Sequence, residues 1–257
     1  MSLTEQYIAF MTILRKEIKR YLRIWTQTLL PSAITMSLYF VIFGKLIGSR
    51  IGEMGGFSYM EFVVPGLIMM AIVTNSYANV VSSFFGSKFN HSVEELLVSP
   101  TPNYVILMGY VVGGVTRGLL VAVVVTLVSL FFTRLQVHSY AIVLLTVLMT
   151  STLFALGGFI NAVFANSFDD ISIVPTFVLT PLIYLGGVFY SMDLLPEFWA
   201  NVSKLNPLVY VVNAFRYGVL GVSDVSLGFS LGMISLFTLV AFVFCLNLLN
   251  KGTRLRQ

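Results

Sequence analysis

Few residues of this sequence have the types and spacing that catalysis requires. His91, His138 and Cys245 lie far apart in the chain, whereas Asp169 and Asp170 are adjacent. Adjacent residues of a helix do not face each other, so this pair does not make a two-carboxylate site. The chain contains no H-E-x-x-H zinc motif and no G-x-S-x-G nucleophile motif. We therefore expect no catalytic residue and no metal site, and an enzyme is a distant alternative.

A phosphate-binding loop is missing as well. The G-x-x-x-x-G-K-[ST] loop holds phosphates with backbone amides and lysine, and magnesium with its hydroxyl. The one Gly-Lys pair, Gly44-Lys45, is followed by Leu46 and lacks the first glycine of that motif. We expect this chain to bind no cofactor and no ATP by that loop, so energy for uphill work would come from another polypeptide.

Composition indicates where such work would take place. Of the 257 residues 57% are hydrophobic and only 10% are charged, with a mean hydropathy of +0.91. Soluble domains carry about a quarter charged residues. The single cysteine excludes a disulfide within the chain, and a net charge of +4 does not indicate a nucleic-acid partner. The sequence predicts an all-α polytopic membrane protein, residues 1–257 forming one domain.

Six apolar stretches have the length of a membrane span, about 20 residues. They are residues 24–44, 62–85, 104–132, 135–164, 171–190 and 227–249. Arg117 interrupts the third stretch, where it either extends to the inner interface or pairs with Asp169 or Asp170. Asp169 is also placed to cap the fifth span.

Residues 1–24 read as an amphipathic helix rather than a signal peptide, because charge replaces a short apolar core. Its apolar stripe comprises Tyr7, Phe10, Met11, Leu14, Ile18, Tyr21, Leu22 and Trp25. Its cationic side comprises Lys16, Lys19, Arg20 and Arg23, with Arg15 at the border. Such a helix is expected to lie in the plane of the lipid head groups.

The distribution of cations predicts the orientation of the chain. Six spans place nine cations on the side of the termini: Arg15, Lys16, Lys19, Arg20, Arg23, Lys88, Lys251, Arg254 and Arg256. The opposite side carries five: Lys45, Arg50, Arg134, Lys204 and Arg216. Because cytoplasmic loops carry the excess of Lys and Arg, both termini are predicted to be cytoplasmic.

A polar stretch, residues 86–102, separates the second and third spans and reads GSKFNHSVEELLVSPTP. Ser92 and Glu95 have the spacing of a capping box, and Pro100 cannot continue a helix. Three apolar residues of the predicted helix share one face: Val93, Leu96 and Leu97. The stretch is either a solvated turn on the head groups or a helix that docks on a partner protein.

The segment 191–226 is too apolar for a solvated loop and too short for another span. Asn206-Pro207 divides it into two half-length helices, which favours a pair that re-enters the outer leaflet. A lid lying flat on the outer interface is the alternative.

These features resemble the permease subunit of ABC-2 type exporters over essentially the whole chain. The resemblance is carried by EELLVSP at residues 94–100, LP at 195–196 and LNPLVYVVNAFRYG at 205–218, together with the six spans and the basic first helix. It implies a bacterial inner-membrane permease that works as a homodimer with two copies of a separate ATP-binding subunit, which holds ATP and magnesium. Residues 86–102 would be its coupling helix and residues 196–216 its re-entrant helices.

The resemblance also implies roles for individual residues. Glu94 and Glu95 would contact the ATPase while Leu96 and Leu97 anchor the helix. The coupling candidates are Ser92, Glu94, Glu95, Leu96, Leu97 and Pro100, and the outer-gate candidates are Pro196, Trp199, Asn206, Pro207 and Arg216.

Polar lines in the spans either join helices by hydrogen bonds or line a cleft for an amphipathic or lipid-like cargo. The pathway candidates are Thr28, Thr35, Asn75, Asn79, Thr180 and Tyr184. A membrane anchor that holds an ATPase without transport is the alternative function.

Overall fold

The computed structural model describes residues 1–252 and is almost entirely helical. Arg254 and Arg256, and the side chain of Lys45, lie outside what it describes. Within the described chain five helices are long and apolar enough to cross a membrane. They are Trp25–Ile51, Tyr59–Phe89, Asn103–Ser129, Tyr140–Phe164 and Leu227–Lys251.

The elements follow one another in this order. The amphipathic helix α1 is Leu3–Arg23; the first span is built from α2 Trp25–Thr28, α3 Leu30–Tyr39, a π-helical segment Phe40–Ile47 and α4 Gly48–Ile51. A two-residue hairpin, β1 Glu53–Met54 and β2 Phe57–Ser58, precedes α5 Tyr59–Phe89, α6 Ser92–Val98, α7 Asn103–Ser129 and α8 Tyr140–Phe164. Then come α9 Asp170–Val174, a π-helical segment Pro175–Leu179, α10 Thr180–Tyr184, a 3-10 turn Met192–Leu194, α11 Glu197–Ser203, α12 Pro207–Leu220 and α13 Leu227–Lys251.

Helix α5 forms the centre of the bundle. It packs on α7, α8 and α12, and most of its residues are buried on every side. Close approach depends on small residues, since a Cβ at Gly158 of α8 would overlap the backbone carbonyl oxygen of Tyr77. A Cβ at Gly66 would lie 2.6 Å from the Val188 carbonyl oxygen. Glycine is therefore required where α8 and the chain after α10 cross α5.

The helix predicted over residues 1–24 is present as α1, but the face that packs on the bundle is not made of the predicted apolar stripe alone. A capping box starts the helix, and the Ser2 amide donates to Glu5 at 2.7 Å, which lowers the pKa of the Glu5 carboxyl. The face buried on α7 carries Ile13, Glu17 and Tyr21. Tyr7, predicted to lie in the stripe, is 63% exposed.

The predicted fifth span, residues 171–190, is shorter than expected. The apolar helix runs only over Asp170–Tyr184, about 22 Å at 1.5 Å per residue, against about 30 Å of hydrocarbon. It ends because Gly187 adopts φ +74° and the chain turns back to bury Val188. The sixth crossing therefore stays a prediction.

The predicted cap of that helix is also wrong by one residue. Asp169 makes no cap hydrogen bond, whereas Asp170 Oδ2 accepts from the backbone amides of Asn166 at 2.8 Å and Ser167 at 3.2 Å. The carboxylate that satisfies the free amides is the one already inside the first turn.

The bundle has two distinct ends. At one, which we call the terminal end, Tyr104 of α7 donates to Gln6 of α1 and Asn103 donates to Asn250 of α13 at 2.8 Å. Helix α6 lies at this end, between α5 and α7. The opposite end, which we call the hairpin end, holds β1–β2, the turn before α11 and the turn between α12 and α13. The candidate coupling residues and the candidate gate residues are thus a bundle length apart.

Candidate functional site

Helix α6 spans Ser92–Val98, but it does not begin with the predicted capping box. His91 holds the cap position with φ 59°, and the Ser92 hydroxyl donates to the Ser87 carbonyl at 3.0 Å. Capping boxes require an extended residue at the cap, and the left-handed turn that brings the chain out of α5 excludes it here. Ser92 instead joins α6 to the last turn of α5.

The side chains of α6 divide between the bundle and solvent. Val93 is 2% exposed, and the predicted anchors Leu96 and Leu97 are half-buried against the same core. Glu95 is exposed and Val98 is 87% exposed. Val98 was not among the predicted contact residues, although its position three residues after Glu95 places it on the same side.

The remaining coupling candidates lie at the margins of α6. Glu94 Oε1 is 3.3 Å from His91 Nδ1, and Pro100 is exposed beyond the helix end. The Ser99 hydroxyl donates to the Leu96 carbonyl at 2.6 Å and closes the last turn.

Lys88, one turn before α6, joins two spans. Its Nζ donates to the carbonyl oxygens of Val163 and Ala165, both at 2.8 Å. These carbonyls lie at the carboxyl end of α8, where a cation is favoured by the helix dipole. The sequence showed the charge but not this contact.

A buried polar cluster joins α1 to α5. Glu17 is fully buried and accepts from the Ser83 hydroxyl at 2.5 Å, while Arg20 Nη2 lies 3.3 Å from Glu17 and donates to the Asn79 side-chain and backbone oxygens at 2.9 and 2.8 Å. Asn79, a pathway candidate, is thus bonded to α1. The sequence places Glu17 four residues from both Ile13 and Tyr21, and this helical spacing could have indicated that the acid shares their buried face.

Arg117 lies inside the bundle and follows neither predicted alternative. Its Nη2 donates to Asn75 Oδ1 at 2.9 Å, and the residue is 8% exposed. Asn75 Nδ2 donates in turn to the Ser32 hydroxyl at 3.0 Å and to the Ala71 carbonyl at 2.9 Å. The guanidinium of Arg117 is therefore held by an amide oxygen, and neither by the membrane interface nor by an aspartate.

The other pathway candidates lie on the first span and on α10. Thr28 is buried and donates to the Tyr21 carbonyl at 3.2 Å, whereas Thr35 is exposed. Thr180 is exposed and donates to the Pro175 carbonyl at 2.8 Å. Tyr184 is 42% exposed and its hydroxyl lies 3.3 Å from that of Tyr39. Thr28 and Thr180 therefore both donate to nearby backbone carbonyls, and the assignment of the six candidates to a pathway stays a prediction.

The predicted helix pair before the last span consists of α11 and α12. Pro196 precedes α11, Trp199 is 48% exposed, and Pro207 begins α12. Asn206 caps α12 by accepting from the Leu208 amide at 3.0 Å, and it donates to the Leu182 carbonyl at 2.7 Å. Helix α12 is almost wholly buried against α5, α8 and α13.

Arg216 occupies the buried side of α12. Its Nη2 donates to the Gly187 carbonyl at 2.6 Å, and its Cζ lies 3.9 Å from the centroid of the Phe62 ring. Nη1 is 4.0 Å from Asp224, a separation too long for a hydrogen bond.

Comparison with known proteins identifies the family of this chain. Residues 8–220 match the ABC-2 type transporter family. The inner membrane transport permease YadH of Escherichia coli K12 is 58% identical over 98% of each chain, and Nodulation protein J of Neorhizobium galegae is 22% identical over 94% of this chain and 93% of its own. The chain therefore belongs to the ABC-2 type transporter family and is a multi-pass membrane component of an ABC transporter.

Proposed function

We propose that this chain is the permease subunit of an ABC exporter, which moves an amphipathic or lipid-like molecule out of the cytoplasm or inner leaflet. It works in the bacterial inner membrane as a homodimer, with both termini cytoplasmic and ATP and magnesium held by two copies of a partner ATPase. Family membership supports the ATPase partner. The similarity to an inner membrane permease supports the location.

One observation carries the mechanism. Helix α6 buries Val93 but presents Glu95 and Val98 to the outside, so it is held by the bundle and open to a partner. Neighbouring Lys88 holds the carboxyl end of α8. A partner that pressed on α6 would therefore displace α5 and α8 together, and the hydrolysis energy would reach the bundle through this contact.

Partner binding tests the role of α6. The variant Glu95→Lys/Val98→Asp changes only exposed side chains and should release the ATPase in pull-down from mild detergent. The control Phe131→Asp alters a side chain that is 88% exposed at the other end of α7 and should retain it. Leu96→Asp/Leu97→Asp should release it too. Full retention by both α6 variants contradicts the docking role.

Orientation and transport are tested separately. A membrane-impermeant maleimide should label Lys204→Cys but not Glu95→Cys in intact cells, and the reverse pattern contradicts the proposed topology. In liposomes that hold the complete complex, ATP hydrolysis should require this chain and accompany cargo movement; hydrolysis without movement would favour the anchor. Thr180→Leu, which alters an exposed side chain of α10, should change export while the dimer remains intact.

A further inference from the structure

A cavity of about 490 Å³ opens at the hairpin end, within the size range of small-ligand sites. Residues from three separate stretches of chain form its wall: 51 and 53–55, 191 and 193–194, and 222–224. Phe62 and Arg216 complete it. Its acids are Glu53, Asp193 and Asp224. Because these three carboxylates face one guanidinium, the lining as a whole is negative.

Arg216 lines this cavity with a buried guanidinium that is only partly hydrogen-bonded. The residue is 0% exposed, and within residues 1–252 its Nε and Nη1 have no hydrogen-bond partner. Among the described residues its one carboxylate contact is Asp224 Oδ2, which is 4.0 Å from Nη1 and already accepts from the Met192 amide at 2.7 Å. Buried donors without acceptors are costly, so a group that brings an anionic oxygen to them is favoured.

The two parts of the lining select one ligand chemistry. An ammonium alone would satisfy the exposed acids Glu53 and Asp193 but leave Arg216 unsatisfied. A phosphate alone would satisfy Arg216 but meet repulsion from three carboxylates. We propose that this cavity binds a zwitterionic head group, with its phosphate or carboxylate on Arg216 and its ammonium between Glu53 and Asp193. The inference concerns binding and does not depend on the proposed transport.

The cavity's preference is measured with soluble probes on the full-length chain in phosphatidylglycerol nanodiscs. Glycerophosphoethanolamine should bind about tenfold more tightly than ethanolamine or glycerophosphoglycerol in calorimetric titration. Glu53→Gln/Asp193→Asn should weaken the zwitterion about tenfold. Glu197→Gln, an exposed acid of α11 outside the cavity, should leave the affinity unchanged. Arg216→Lys should bring the zwitterion down to the affinity of ethanolamine.

A second arm identifies the source of the head group. Native mass spectrometry after reconstitution with phosphatidylethanolamine should show a lipid adduct that Glu53→Gln/Asp193→Asn removes if a membrane lipid is the occupant, whereas binding of the soluble probe alone indicates a free zwitterion. Equal binding of all three probes, or unchanged binding by the double acid variant, would overturn the proposal. If Arg216→Lys does not fold, the acid variant still decides.

Discussion

Helix α5 and the span Trp25–Ile51 are both long and apolar, yet they occupy opposite environments. Of their most apolar 18-residue windows, 83% is buried in α5 and 12% in the first span. Helix α5 has its asparagines Asn79 and Asn75 bonded by α1 and α7, whereas the first span exposes Ile34, Leu38 and Leu46. Apolar character identifies a span, but small and polar residues with partners decide which span becomes the centre.

The largest expected effect concerns the crossing of α5 and α8. Gly158→Leu should prevent a folded bundle, because its Cβ would overlap the Tyr77 backbone carbonyl, which cannot move aside, so the cost should exceed the upper value of about 3 kcal/mol that is typical of overpacking. Gly232→Leu on α13, where the added Cβ has no atom of another described element within 4 Å, should fold normally. Fluorescence-detected size exclusion and thermal melting would distinguish them. Equal behaviour of the two variants would show that this crossing is not tight.

The next effect concerns the α1–α5 cluster. Glu17→Ala should lower the free energy of unfolding by about 3 kcal/mol, because it removes the carboxylate that pairs with Arg20 and accepts from the Ser83 hydroxyl. Lys19→Ala, exposed on the same helix, should change it by less than about 0.5 kcal/mol. Reversible unfolding in mixed micelles measures both. If Glu17→Ala left the free energy of unfolding unchanged, α1 would not be packed on α5 through this cluster.

The Asn75–Arg117 pair should respond asymmetrically. Asn75→Leu should be the more damaging change, because it leaves a buried charge without its acceptor. Arg117→Leu removes the charge itself and should cost only about 1 kcal/mol. Unfolding free energies of both single variants and of the double variant give the coupling. The reverse ranking would mean that Arg117 finds another acceptor.

The smallest effect is expected at the exposed contact between the hydroxyls of Tyr39 and Tyr184. Tyr39→Phe removes one hydroxyl that lies 3.3 Å from Tyr184, so the free energy of unfolding should fall by about 0.6 kcal/mol or less. Tyr184→Phe removes the same contact from the other side and should show the same small loss. A loss above about 1.5 kcal/mol would place this pair in a packed interface.

Much of this architecture was predictable because apolar length and charge are local properties. The five long helices, α1 and the division around Asn206-Pro207 follow from such patterns. The caps of α6 and α9 were not predictable, because each depends on how the chain leaves its neighbour. The hydrogen-bond partners of Arg117 and Arg20 were not predictable either, because the sequence shows a charge but not which side-chain amide of another helix lies opposite it.

The contact of Lys88 with α8 has a mechanical consequence. Two hydrogen bonds of 2.8 Å fasten the base of α5 to the foot of its neighbour, beside the residues that turn into α6. If a partner displaced α6 as proposed, these two bonds would make α5 and α8 move together.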